Sequence, residues 1–332
     1  MPRPTFMIAG ERKCGTTALH HWMSCHPDVY VYPPWDVNYF IEDEISRTLK
    51  WRDGEVDAAA WERSHSVESY EALFRDGSGR QAIGEKSADI FFWRPAHERV
   101  ARYLPEARFI VVLRNPVERA WSHFWNERGK GAGREKLDFE RAIQAEPERA
   151  SRSAYARLHL SYLTRGFYER TLEDWLRFNP STRLLVMTLE QMHAAPTEAL
   201  RRVYEFIGVD PAKGLELVGT RHNTSATSVD RGATRHGLIR PVVNQYLRVT
   251  DSVAGRLGRT PEQQVRIKRY LQLPFRRPTN RIAMSPITRV HLEEIYAPHV
   301  ERLGQMLGRT FPEWESSSKP AMVAVSAGKG PS

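Results

Sequence analysis

Lys13, Arg114 and Ser122, together with the glycines at positions 10 and 15, are the residues whose types and spacing first suggest chemistry. The segment Gly10-Glu11-Arg12-Lys13-Cys14-Gly15-Thr16-Thr17 lies between a short apolar run, Phe6-Met7-Ile8-Ala9, and a helix-like stretch, Ala18-Leu19-His20-His21-Trp22-Met23. A strand, a glycine-bearing loop and a helix in that order make an anion cradle, because the first amides of a helix are unpaired and its dipole favours negative charge. The loop nearly follows the nucleotide-triphosphate pattern G-x-x-x-x-G-K-[ST], but Thr16 stands where that pattern needs lysine. Lys13 instead comes two residues before the second glycine, which points to a phosphate loop built for a ligand other than ATP or GTP. Arg114 ends an apolar run, and Ser122 follows eight residues later, about two turns along a helix that Pro116 can begin. An arginine fork and a serine hydroxyl can hold one phosphate. The alternative is an ion-paired arginine beside an ordinary helical serine.

The elements that must position these groups alternate along the chain. Short apolar or β-branched runs bounded by breakers predict strands over 5–9, 29–32, 82–85, 108–113 and 183–187. Helices are expected over 16–25, 67–75, 95–103, 116–125, 153–165, 167–178, 196–207, 261–271 and 286–307. Such alternation argues for an α/β fold, P-loop-like and three-layered, with a central, mostly parallel sheet flanked by helices. Arg114 then sits at the carboxyl end of a strand, where open α/β sheets bind ligands. Residues 127–136, rich in glycine and charge, are expected to form a surface loop. Residues 222–240, without periodicity, are expected to form a long loop of the kind that is often functional. A single domain over 1–315 and a disordered tail over 316–332 complete the expected organisation.

Composition narrows the function classes. The chain has 332 residues, 41% hydrophobic and 27% charged, which suits a soluble globular protein with a sizeable core. No apolar run approaches the ~20 residues needed to cross a bilayer, and the stretch Met1-Pro2-Arg3-Pro4 leading into the first strand is not expected to act as a secretory signal. Cys14 and Cys25 build no disulfide framework and fit no zinc spacing, which is compatible with a cytoplasmic protein. The net charge of +9 favours anionic ligands, either nucleic acid or a polyanionic small molecule or acidic sugar. The basic residues are dispersed and no nucleic-acid-binding motif is present, so nucleic acid is not the expected partner.

The two anchors, Lys13-x-Gly15-Thr16 and Arg114-Asn-Pro-x-Glu-Arg-x-x-Ser122, resemble those of the sulfotransferases that use 3′-phosphoadenosine 5′-phosphosulfate, most of all the heparan sulfate and bacterial carbohydrate type. Glu85-Lys86-Ser87 is similar to that family's Glu-Lys-(Thr/Ser), and Gly166-Phe167-Tyr168 with Leu172, Trp175 and Leu176 is similar to its G-x-Y-x-x-x-L-x-x-W-L helix. Leu184 to Glu190 and Leu303-x-x-x-Leu307-Gly308-Arg309-x-Phe311-x-x-Trp314 resemble its later strand and C-terminal signature. The order and spacing of these motifs cover most of the chain.

The resemblance implies direct, in-line sulfuryl transfer without a metal, from that donor to an acceptor hydroxyl. It implies that Arg12, Lys13, Cys14, Gly15, Thr16, Thr17 and Ala18 form the donor loop, with Lys13 at the bridging oxygen and the amides of residues 15 to 18 around the 5′-phosphate. It assigns the 3′-phosphate to Arg114 and Ser122, and a covering lid to the stretch with Arg231, Gly232 and Arg235. The family's K-E-x-x-F-F segment corresponds to Trp35-Asp36-Val37-Asn38-Tyr39-Phe40, which makes Asp36 the implied base, against the alternative of a helix cap. His20, His21 and His26 are competing bases, although helix packing and a turn account for them. Lys86 is the implied partner of the sulfonate or acceptor, against a snorkelling surface lysine. Trp35, Asn38 and Ser87 join Asp36 and Lys86 on the acceptor side. Trp35, Tyr39, Phe91, Phe92 and Trp93 form either aromatic walls for a sugar or apolar natural product, or core. The acceptor's identity and the oligomeric state stay open. The competing function classes are a P-loop kinase or ATPase, disfavoured by Thr16 and the lack of a clear magnesium-binding acid, and a non-catalytic nucleotide- or nucleic-acid-binding module.

Overall fold

The computed structural model describes residues 2–32, 36–41, 66–129, 134–218 and 283–315. Five strands, β1 (Phe6–Gly10), β2 (Val29–Val31), β3 (Ala82–Lys86), β4 (Arg108–Leu113) and β5 (Leu184–Thr188), form one sheet in the order β2-β3-β1-β4-β5. Every neighbouring pair among them is parallel. The helices in chain order are α1 (Thr16–Met23), α2 (Val67–Ala72), α3 (Arg94–Tyr103), α4 (Pro116–Arg128), α5 (Phe139–Gln144) and α6 (Glu146–Arg152). They continue with α7 (Ala154–His159), α8 (Tyr168–Leu176), α9 (Leu189–Ala194), α10 (Pro196–Ile207), α11 (Pro211–Val218) and α12 (Pro286–Leu307).

Side chains of a strand alternate between faces, and the two central strands divide on that rule. Met7, Ala9, Phe109, Val111 and Leu113 face one core, with Val100 of α3, Leu172 and Trp175 of α8 and Leu303 of α12. Phe6, Ile8, Ile110 and Val112 face the other, with Leu19 and Met23 of α1 and Leu200, Val203 and Tyr204 of α10. A sheet buried on both faces reads as continuous apolar runs, which is why the strands were legible. Gly84 lets β1 and β3 close up, since a Cβ there would stand 2.4 Å from the Phe6 ring. The register pairs Ile8 with Lys86 and Gly10 with Val111, so the carboxyl ends of β3, β1 and β4 finish side by side.

Two expected elements differ. The helix expected over 153–165 is only α7, and the chain then runs through an irregular stretch into a 3₁₀ turn, Thr164–Gly166. The buried Glu146 carboxylate accepts the amides of Leu163 (2.6 Å) and Thr164 (2.9 Å), and Tyr162 donates to Glu135 at 3.0 Å, so tertiary hydrogen bonds replace the helical ladder. The loop expected over 127–136 starts later, because α4 continues to Arg128 with Glu127 fully buried. Trp35, the loop of residues 222–240 with Arg231, Gly232 and Arg235, the helix over 261–271 and the tail over 316–332 lie outside the described residues.

Trp175 is buried with its ring centroid 4.9 Å from Phe109, 5.0 Å from His97 and 5.9 Å from Phe91. Truncation there removes apolar area and leaves a cavity that this tight aromatic layer cannot collapse into. Trp175→Ala should lower unfolding free energy by about 3–5 kcal/mol, read as a lower urea midpoint with an unchanged slope.

Candidate active site

The loop after β1 is shaped by two left-handed residues, Lys13 (φ 70°) and Gly15 (φ 92°). Glycine is required at position 15 twice over, because a Cβ would also meet Leu189 Cδ1 at 2.5 Å. Gly15 caps α1 with no side-chain cap, and among the described residues the amides of Gly15, Thr16 and Thr17 donate to nothing in the protein. The Ala18 amide already donates to Gly15 O at 2.9 Å, and the Cys14 amide to Glu11 O at 3.1 Å. The open cradle is therefore three amides, at residues 15 to 17, and not the four expected. Lys13 reaches along its rim, where its Nζ donates to Asn126 Oδ1 at 3.4 Å. Cys14 is fully buried against Tyr168, and burial pushes its thiol well above the ordinary range, which leaves it an inert packing residue.

Arg12 was expected to touch the donor, but its guanidinium is engaged beneath the loop. It binds Asp89 through Nε (2.7 Å) and Nη2, contacts Glu127 at 3.3 Å, and donates to His159 Nδ1 at 3.0 Å. The fully buried Arg165 completes the cluster, with one arm on Glu11 and the other 2.7 Å from Asp89 Oδ1. Burial opposes the charge on Asp89, yet Arg12 and Arg165 together hold it well below the usual carboxylate range. Burial, with Arg12 beside it, pushes His159 down to about 3, so the ring is neutral and can accept from Arg12. This brace was missed from the sequence. Its only trace there is a set of charges within apolar stretches, such as Asp89 between Ala88 and Ile90.

The turn after β4 is pinned from three sides. Asn115 Oδ1 caps α4 by accepting from Val117 (3.0 Å) and Glu118 (3.3 Å), and its own amide donates to Glu190 at 3.0 Å. Trp314 Nε1 donates to the other Glu190 oxygen at 3.0 Å, and Tyr168 donates to Arg114 O at 2.8 Å. Arg114 is thereby aimed at the loop, with Nη1 3.5 Å from Lys13 O and a loose 3.6 Å pair to Glu118. The buried Ser122 hydroxyl makes no hydrogen bond among the described residues.

At the end of β3 the third group of expected residues meets. Lys86 is 3% exposed and its Nζ lies 2.7 Å from Asp36 Oδ1, while the Asp36 side chain is 38% exposed. The same Oδ1 accepts from the Ala88 amide at 2.9 Å, and no described group bonds Oδ2. Ser87 Oγ accepts from the Asn38 amide at 2.9 Å and donates to Glu85 Oε2 at 3.0 Å, and Tyr70 donates to Glu85 Oε1 at 2.6 Å. Asp36 thus serves β3 and its following turn, and caps no helix among the described residues. Phe91 and Trp93 lie in the core, not in a wall, and Tyr39 stacks on Tyr70 at 4.4 Å. His26 is buried at a turn, its Nε2–H donating to Asp210 O at 2.8 Å. Among the described residues no group of three or more His, Cys, Asp or Glu is placed to hold a metal ion, and no helix is long and apolar enough to cross a membrane.

These features define an open parallel α/β protein whose central strand ends in a loop with three unpaired amides at a helix start, flanked by two further basic strand ends. The sequence model of the Sulfotransferase family matches residues 4–213, and the chain belongs to that family. It is 28% identical over 211 residues to human bifunctional heparan sulfate N-deacetylase/N-sulfotransferase 2, and 27% identical over 216 residues to the human type 3 enzyme. Each match covers 63% of this chain but only 22% of the relative. In fold, the chain is similar to the crystal structure of a sulfotransferase from Alicyclobacillus acidocaldarius, with a TM-score of 0.64 and 22% identity over 95% of this chain and 99% of that one.

Glu85 gives this site a measurable signature. Burial raises its carboxyl to about 7 from an ordinary 4.5, against the lowering effect of Tyr70 and Ser87. Between those values the folded protein holds a proton that the unfolded chain releases, so stability must fall as pH rises from about 4.5 to about 7. Glu85→Gln should flatten that part of the profile, with a difference from wild type on the order of 3 kcal/mol in chemical denaturation at the two ends of the window.

Proposed function

We propose that the protein transfers a sulfuryl group from 3′-phosphoadenosine 5′-phosphosulfate to a hydroxyl group of a saccharide or a small natural product. The observation that carries this reading is the asymmetry of Asp36. Its Oδ1 is held by Lys86 and the Ala88 amide, its Oδ2 is open, and it stands at the same edge of the sheet as the Lys13 loop. An ionised carboxylate only accepts hydrogen bonds, so Oδ2 is fitted to take the proton that an acceptor hydroxyl must lose.

The donor's chemistry suits the remaining groups. Three open amides at a helix start, with no Cβ at Gly15, suit a 5′-phosphate. Arg114 and the free Ser122 hydroxyl suit a second phosphate at the 3′ position. When bound, the donor supplies a sulfuryl group on a bridging oxygen that gains negative charge as the group leaves. Lys13, left-handed at the head of the loop, is the cation placed to stabilise that charge. Lys86 keeps Asp36 oriented while its free oxygen receives the proton. The names of the human relatives support a saccharide as acceptor.

Binding separates this reading from a triphosphate-dependent one. Adenosine 3′,5′-bisphosphate should raise the melting temperature strongly and ATP or AMP little, because only a ligand of the folded state stabilises it. An equal response to ATP would sink the reading. Substitution separates the two roles. With labelled donor and a panel of saccharides, phenols, alcohols and amino sugars, Lys13→Ala should lose about 10²–10³-fold in turnover, the loss typical of one preorganised electrostatic group. Asp36→Asn should abolish turnover while bisphosphate binding persists.

A further inference from the structure

His20 lies on α1, which begins at the amide cradle, and is 3% exposed. Its Nε2 is 2.8 Å from Tyr32 O. A carbonyl oxygen only accepts, so Nε2 carries the hydrogen and Nδ1 carries a bare lone pair. That Nδ1 is buried and has no partner among the described residues. Burial, with Lys86 and His21 adding to it, pushes the ring's pKa down to about 4, so the imidazole is neutral at physiological pH. As a packing residue this is a poor choice. An aliphatic side chain would fill the space without stranding a ring nitrogen, at the loss of the bond to the Tyr32 carbonyl. The single bond that histidine adds is the one to Tyr32.

Tyr32 is where that bond matters. Its amide closes the β2–β3 pairing on Gly84 O at 2.8 Å, and Asp36 follows four residues later. Downstream, the Val37 amide donates to Lys86 O at 3.1 Å and the Asn38 amide to Ser87 Oγ at 2.9 Å. The chain is therefore tied to β3 just after Asp36, and to α1 at Tyr32, four residues before it, through His20. Since α1 also presents the open amides, one short helix touches both the donor cradle and the approach to the base.

We propose that His20 is a positioning residue. Its neutral ring, bonded to the Tyr32 carbonyl, sets where the Asp36 carboxylate stands relative to the Lys13 loop. The proposal rests on the reading of Asp36 as the base. It requires that losing the Nε2–H donor leave donor binding intact and slow the transfer step, since small displacements of a reacting group lower turnover steeply.

The test compares His20→Leu, which removes the donor, with His20→Gln, whose amide N–H reaches about as far as Nε2, and with Asp36→Asn. Turnover, acceptor KM, binding of adenosine 3′,5′-bisphosphate and melting temperature are measured for each. The expected result is a loss of about 10–100-fold in kcat for His20→Leu, with unchanged bisphosphate affinity and a melting temperature close to wild type, and substantial recovery in His20→Gln. Wild-type kcat in His20→Leu while Asp36→Asn is inactive overturns the role of His20 alone. A glutamine variant no better than leucine, or a parallel loss of bisphosphate binding, also overturns it. Full activity in Asp36→Asn overturns the base reading, and the His20 proposal with it.

Discussion

The burial of two arginines beneath the loop after β1 is the constraint on which the site depends. Arg12 and Arg165 are withdrawn from water and share Asp89, with Glu11 and Glu127 closing the cluster. Such a cluster contributes little net stability, because desolvation offsets most of the attraction, but removing any one member strands a buried charge. Its effect is on shape. Arg12 immediately precedes Lys13, so anchoring its guanidinium to the turn after β3 fixes the direction in which the loop leaves the strand. Lys13 and Gly15 can then hold left-handed conformations that an unbraced loop would relax.

The parallel sheet explains why three separate stretches of chain converge. In a sheet with every strand pointing one way, each strand must be followed by a crossover, so every carboxyl end opens into a loop at the same edge. Here β1 lies between β3 and β4; the Lys13 cradle follows β1, Lys86 ends β3, Arg114 follows β4, and Asp36 comes to Lys86 from the stretch after β2. Tyr168 ties two of them together through its hydroxyl, which lies 4.0 Å from Cys14 Sγ and donates to Arg114 O. The C-terminal turn does similar work from outside the sheet, since Trp314 and Asn115 grip opposite oxygens of Glu190.

What was legible in the sequence follows from the range of the forces involved. The strands showed as apolar runs, and the loop showed as a spacing of glycines and lysine, because both are local consequences of backbone geometry. The ends of β3 and β4 were found through short motifs whose residues lie next to one another in the chain. The brace was not legible, because Arg12 meets Asp89, Glu127 and His159 only after the fold is complete. The helix expected over 153–165 failed for the same reason: the competing hydrogen bonds come from Glu146 and Glu135, which no local propensity registers. The family resemblance assigned Ala18 to the cradle, yet it lies one residue too far into α1 to have a free amide.

The two charged systems of the site differ in a way that suits different work. In the cluster under the loop the charged groups pair with one another, Arg165 and Glu127 at full burial and Arg12 nearly so, and little is left to react. The Lys86–Asp36 pair is unequal: the ammonium is 3% exposed, the carboxylate 38%. A lysine so deeply placed needs an anion, and it takes only one oxygen of Asp36 to satisfy that need. The second oxygen is then presented to solvent by a side chain that cannot turn away without stranding Lys86 and the Ala88 amide. An orientation enforced by someone else's burial is more rigid than a free surface aspartate could achieve, and rigidity is what a proton acceptor requires if it is to meet a hydroxyl in one geometry. The buried cation thus makes an exposed carboxylate directional.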